Sequence, residues 1–195
     1  MDADFAVELG ADDETLEIPW SAPGGQPRYF DLKHHPDIIE QLDEVRRVPE
    51  LAGFLHAINS PSGALETAKC DVWASTEINP EEEIFGAAHK FGCYVDLLFS
   101  NENARISFDE YESFAKRVVG LLKPAPEIPA SAELLIRRCF CHQGHHTREG
   151  FYITFYVFGY GDDEAQAHQR WAIGLELVVN AIRQVEAKLV RTPAC

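Results

Sequence analysis

The stretch Gly150-Phe151-Tyr152-Ile153-Thr154-Phe155-Tyr156-Val157-Phe158-Gly159-Tyr160 alternates with a period of two, the period of an extended strand. Phe151, Ile153, Phe155 and Val157 take one face, and Tyr152, Thr154, Tyr156, Phe158 and Tyr160 take the other. Both faces are rich in aromatic side chains, so neither is a plain water-facing side, and the strand belongs inside a layered fold. Downstream, Asp162 or Asp163 caps a helix in which Trp171, Leu175, Val178, Ile182, Val185 and Leu189 recur at alternating steps of four and three. Upstream, a strand from Glu133 to Cys141 and a turn at Gly144 complete a strand–strand–helix unit.

The same order of elements occurs once more before it. Ala68, Cys70, Val72 and Ala74 alternate along one strand, and Phe91, Cys93, Val95, Leu97 and Phe99 along the next. Between them Asn79, Pro80 and Glu81-Glu82-Glu83 have the composition of a helix start. Ser107 and Glu110 form a capping-box pattern, with Ile106 placed to staple onto Tyr111. Tyr111, Phe114, Val118 and Leu122 make the helical stripe that follows, and Pro124 stops it. Gly92-Cys93-Tyr94-Val95-Asp96-Leu97 aligns with Gly150-Phe151-Tyr152-Ile153-Thr154-Phe155, although strand composition alone produces such likeness.

The expected fold is α+β: a mostly antiparallel sheet with helices packed on one face, built from a duplicated strand–strand–helix unit over residues 63–195. Residues 1–62 form an appended part of the same single domain, 1–195. There Phe5, Val7 and Leu9, the turn Gly10-Ala11-Asp12-Asp13, and Leu16 and Ile18 read as a hairpin, and Pro36 and Pro49 each open a short helix.

Acidic residues outnumber basic ones 32 to 17, for a net charge of −15, which argues against a nucleic-acid or anionic-membrane partner. Solubility accounts for that acidity, and a basic protein partner is the functional alternative. No apolar run approaches the ~20 residues that span a bilayer. The acidic start Met1-Asp2-Ala3-Asp4 is unlike a signal peptide, so a cytoplasmic location is expected. The five cysteines (Cys70, Cys93, Cys139, Cys141 and Cys195) are accordingly expected as thiols.

Two places carry chemistry. The first is Cys139-Phe140-Cys141-His142-Gln143-Gly144-His145-His146, where Cys139, Cys141, His145 and His146 are the candidate ligands for a zinc ion. The spacing departs from common zinc patterns, and two small buried apolar thiols before a polar turn explain it better. The second is the face bearing Tyr152, Tyr156 and Tyr160, joined on the matching strand by Tyr94 and Asp96. Rings with hydroxyls around one carboxylate suit a small-molecule pocket or a subunit interface, whereas cover by the N-terminal helices would make the face ordinary core. Burial there would raise the Asp96 pKa. Arg137 and Arg138 must point to opposite sides of their strand, the inward one toward a carboxylate such as Asp96 or Asp71.

The acidic runs Glu81-Glu82-Glu83 and Asp162-Asp163-Glu164 fall at helix starts, which explains them without a site. Neither a Gly-x-Ser-x-Gly elbow nor a phosphate loop is present. The functional expectation is a non-catalytic binding module that holds a small ligand, a protein partner or a second copy of itself on the tyrosine face. The alternative is a metal-dependent hydrolase or Cys/His enzyme using Cys139–His146.

Overall fold

The computed structural model describes residues 1–25, 28–143 and 146–189. Six strands form one mixed sheet: β1 (Asp2–Glu8), β2 (Thr15–Ile18), β3 (Leu65–Ser75), β4 (His89–Phe99), β5 (Ala130–Gln143) and β6 (His146–Gly161). Their order is β1-β5-β6-β4-β3, with β2 also on β5. The four strands β5-β6-β4-β3 are antiparallel throughout. The chain is therefore α+β, and the strand order does not by itself establish a duplication.

The N-terminal hairpin does not form. β1 and β2 both run parallel to β5, Asp2–Glu8 opposite Ser131–Arg137 and Thr15–Ile18 opposite Arg138–Cys141. They are two pieces of one edge, separated by a loop that leaves the sheet and returns in the same direction. One guanidinium pins the loop at its base: Arg137 Nε donates to Glu8 at 2.7 Å and Nη1 to Glu14 at 3.2 Å. Arg138 also donates to the Leu9 carbonyl. Arg137 is buried and must keep its charge paired, so this contact favours the step over a reversal.

Among the described residues five α-helices are interleaved with the strands: α1 (Asp43–Arg47), α2 (Glu50–Ile58), α3 (Glu102–Arg105), α4 (Phe108–Leu122) and α5 (Glu164–Leu189). The prolines at 36 and 80 each open only a 3-10 turn, Pro36–Gln41 and Pro80–Phe85. The α5 cap is Asp163, whose carboxylate accepts from the Gln166 amide at 2.8 Å. The capping box at Ser107 is not closed, since its side chain makes no cap bond and Ile106 is 44% exposed. Asn101 caps the preceding α3 instead, accepting from Asn103 and Ala104.

The expected stripes of α4 and α5 are buried from Tyr111 to Leu122 and from Trp171 to Val185. They share one core with Ile39, Leu51, Leu55, Val95 and Phe155, so α2 and the Pro36 turn lie on the same side of the sheet. Burying each such large side chain contributes about 1.5–3 kcal/mol. At Gly159 the helix presses directly on β6, where a Cβ would stand 2.1 Å from the Trp171 nitrogen. The Trp171 indole donates to Cys93 Sγ at 3.3 Å.

Side chains take some of the free backbone groups on both sheet edges. Along β3, Lys33 Nζ donates to the Gly63 and Leu65 carbonyls, Trp20 Nε1 to Ala68 and Arg47 to Val72, while Asn59 Oδ1 takes the Thr67 amide. Along β1, Asp2 and Asp4 accept from the Ala3 and Phe5 amides. Among the described residues no helix is long and apolar enough to cross a membrane.

Candidate functional site

With the helices on one side, the second face of the sheet carries the alternate residues. Register places Tyr94 opposite Tyr156, Asp96 opposite Thr154, Gly92 opposite Phe158 and Lys90 opposite Tyr160. Trp73 on β3 continues the row beyond Gly92. A Cβ on Gly92 would come 2.5 Å from the Phe158 ring, so the missing side chain is what lets Phe158 lie over β4. Phe158 meets Trp73 edge-on at 6.0 Å and stacks beside Tyr156, also at 6.0 Å, with planes 10° apart. Tyr94 joins Trp73 and Tyr156 at 6.3 and 6.0 Å.

The ends of this face are covered by loops. At one end, Phe85 of the Pro80–Phe85 turn stacks on Tyr160 with centroids 4.2 Å apart and planes 9° apart. Glu82 there accepts from the Tyr160 hydroxyl, from Lys90 Nζ and from the Asn79 amide, all within 3.1 Å. Burial works to raise the Glu82 pKa, but these donors outweigh it and hold the carboxyl low. At the other end, Leu16 and Ile18 pack with Ala68, Leu98, Cys139 and Tyr152, and Trp20 and Tyr29 close over them. Trp73, Tyr94, Tyr156 and Phe158 remain partly exposed between the covers.

The five residues expected as a ligand site thus share one face but not one environment. Tyr94 and Tyr156 are open to solvent in part, whereas Asp96, Tyr152 and Tyr160 are buried. Thr154 Oγ1 donates to Asp96 Oδ1 at 2.7 Å and accepts from Arg137 Nη1 at 3.1 Å. Arg137 therefore reaches Asp96 only through the threonine. Its ion-pair partners are Glu8 and Glu14 rather than the expected Asp96 or Asp71, and Asp71 pairs with Arg47. Burial pushes the Asp96 carboxyl up to about 7, against the opposing pull of Thr154 and Lys69. The buried Tyr152 hydroxyl has no hydrogen-bond partner among the described residues.

Two clefts open onto the face. One of about 570 Å³ lies between β1 and the Pro80–Phe85 turn, floored by Tyr156, Phe158 and Tyr160. Another of about 470 Å³ follows the β3 edge past Trp20, Lys69 and Tyr94. Lys69 Nζ stands 5.8 Å from the Trp20 ring centroid and 5.9 Å from that of Tyr94.

The cysteine-rich segment is organised differently. Cys139 and Cys141 share a face with sulfurs 4.0 Å apart, and Cys139 is buried against the Phe151 carbonyl. The Cys139 thiol, helped by Arg105, holds the Cys141 thiol below its usual value despite burial. His142 bonds to Thr147 and pairs with Glu17 across the β2–β5 edge. His146 is exposed on β6 opposite Gln143, and His145 lies outside the described residues. Among the described residues no three His, Cys, Asp or Glu side chains converge to hold a metal.

Trp73 and Phe85 belong to the site's surroundings without having been singled out from the sequence, and Glu82 was read there only as part of an acidic helix start. Trp73 was accessible to the same alternation argument, because it falls between Val72 and Ala74 on the opposite side of β3. Phe85 had no such signal and Glu82 only that of a helix start, since the tertiary path of their turn is what brings them to Tyr160. Compared with protein-family models, curated proteins and solved structures, the chain matches none of them.

Proposed function

We propose that this chain is a non-catalytic binding module that takes its ligand on the aromatic sheet face, between the two loop covers. The observation that carries the reading is the contiguous surface of Trp73, Tyr94, Tyr156 and Phe158, left partly open while the helices take the other face. Rings with polar tips supply large contact area at little entropic cost, and contiguous exposed patches of this kind mark interaction sites. The floor is preorganised, because Phe158 and Tyr156 are held by Gly92, Trp73 and Tyr94, so binding need not order them first.

The test is a set of amide correlation spectra recorded while titrating neutral aromatic and aliphatic fragments. The expected result is saturable shifts confined to the amides of Trp73, Tyr94, Tyr156, Phe158 and their strand neighbours, lost in Phe158→Ala. Shifts confined to the helix layer, or none on β3, β4 and β6, would overturn the reading.

A further inference from the structure

The cleft between β1 and the Pro80–Phe85 turn has an aromatic floor and an acidic rim. Six carboxylates line it (Asp2, Asp4, Glu8, Glu81, Glu82 and Glu133) against one basic residue, Lys90. Lys90 pairs with Glu82, and Arg137 pairs with Glu8 from below. No basic side chain among the described residues pairs with the four that remain, Asp2, Asp4, Glu81 and Glu133.

Two of these are neighbours across the β1–β5 pair. Asp4 and Glu133 are register partners on β1 and β5, and like charges directly opposite on adjacent strands repel. Burial, together with Glu8, Glu81 and Asp4, raises the Glu133 pKa despite Arg137. A cation seated between them would remove that repulsion. The floor already shows how it takes one, since Lys90 Nζ lies 5.3 Å from the Phe158 ring centroid. Tyr156, stacked beside Phe158 and partly exposed, extends the same surface toward Glu133, its register partner.

Resting on the binding-module reading, we infer that this cleft docks an extended, arginine-bearing segment of a basic protein partner, with guanidinium groups on Tyr156 and Phe158 and in contact with Asp4 and Glu133. The unpaired carboxylates are distributed over two walls rather than gathered around one point. Asp2 and Asp4 are two residues apart on β1, roughly 6.6 Å, the repeat of alternate side chains on an extended peptide. A guanidinium lies flat on a ring and grips a carboxylate with two parallel bonds, which suits this floor and rim better than a compact ammonium. The net charge of −15 would also speed encounter with a basic partner.

The probe is the end-blocked peptide Gly-Arg-Gly-Arg-Gly-Arg, titrated calorimetrically at about 0.15 M salt so that distant charges are screened. Four folded proteins are compared by circular dichroism and then by affinity. They are the wild type, Asp4→Asn/Glu133→Gln, Tyr156→Leu, and a charge-matched control on the helix side, Asp37→Asn/Glu176→Gln. The expected result is saturable binding weakened about tenfold by the first pair and by Tyr156→Leu, with the control within about twofold of wild type. Equal weakening by both charge pairs overturns the inference, because attraction to net charge alone would then explain binding. So does spermine binding as tightly as the peptide with the same variant dependence, which would make the ligand a free polyamine. No peptide binding, with neutral fragments still shifting the face amides, overturns the ligand class and leaves the binding module standing. Failure of both experiments removes both readings.

Discussion

Thr154 and Asp96 are register partners on β6 and β4, and the threonine hydroxyl joins the carboxylate at 2.7 Å while accepting from Arg137 on its other side. The hydroxyl is thus the link between a buried acid and a buried base that do not touch. Asp96 gains a hydrogen bond but no ion pair, and burial keeps its carboxyl at about 7.

That relationship sets a pH dependence. The folded pKa lies above the unfolded value near 4, so the folded state holds a proton that the unfolded state has released between about pH 4 and 7. The Asp96 contribution is therefore most favourable below about pH 4, declines as pH rises to about 7 and is flat above. Three pH units correspond to roughly 4 kcal/mol as an upper figure. Asp96→Asn, which mimics the neutral acid and can still accept from Thr154, should remove most of this slope and be the more stable protein at pH 8. Parallel denaturation profiles for wild type and variant across that range would refute the assignment.

At Gly159 the backbone of β6 lies directly against that of α5. Because the nearest atoms to an added Cβ are the Trp171 nitrogen at 2.1 Å and the Ala167 carbonyl oxygen at 2.4 Å, no side-chain rotation relieves the clash. Gly159→Ala should cost about 3 kcal/mol or more, a fall of roughly 6–12 °C in Tm. A fall under about 2 °C would mean that α5 is not seated on β6 in this way.

Among the described residues Glu82 is the carboxylate that pairs with Lys90, and the two side chains are 13% and 10% exposed. Glu82→Gln should destabilise by roughly 2–4 kcal/mol, since it strands a mostly buried ammonium. Adding Lys90→Met should recover much of that loss. The held-down Glu82 pKa means that its contribution is present at neutral pH and lost as pH falls through the carboxylate range. A double variant no more stable than Glu82→Gln in urea denaturation would show that the charge pair is not the cause.

Thiol reactivity should separate the cysteines. Cys141 is partly exposed with its pKa lowered, whereas Cys93 is buried and pushed up to about 12, and burial raises Cys70 as well. With iodoacetamide at pH 7, peptide mapping should show Cys141 modified first among the four described cysteines, more slowly in Arg105→Gln. Cys93 or Cys70 reacting ahead of Cys141 would contradict the geometry.

The antiparallel core and its helices were legible because their signals are local. Alternation in Phe91–Phe99 and Phe151–Tyr160, and the four-three stripe from Trp171, each follow from the chain's own period. The N-terminal edge was not. Gly10-Ala11-Asp12-Asp13 marks where the chain leaves an extended path, but the direction of return depends on Arg137, more than a hundred residues away. The tyrosine face was legible as a face, because alternation assigns sides. Its openness was not, because the covers at Trp20 and Phe85 come from segments whose composition reads only as loop or helix start.

The side chains that occupy the backbone of β3 bear on how this molecule behaves at high concentration. Fibril growth and edge-to-edge polymerisation need a row of unoccupied amides and carbonyls as template. Lys33, Trp20 and Arg47 take the Leu65, Ala68 and Val72 carbonyls of β3 and Asn59 the Thr67 amide, while Asp2 and Asp4 take the Ala3 and Phe5 amides of β1. Each group taken in this way is one fewer for an added strand to pair with, so the ring-rich face is open broadside while the edges beside it are partly closed.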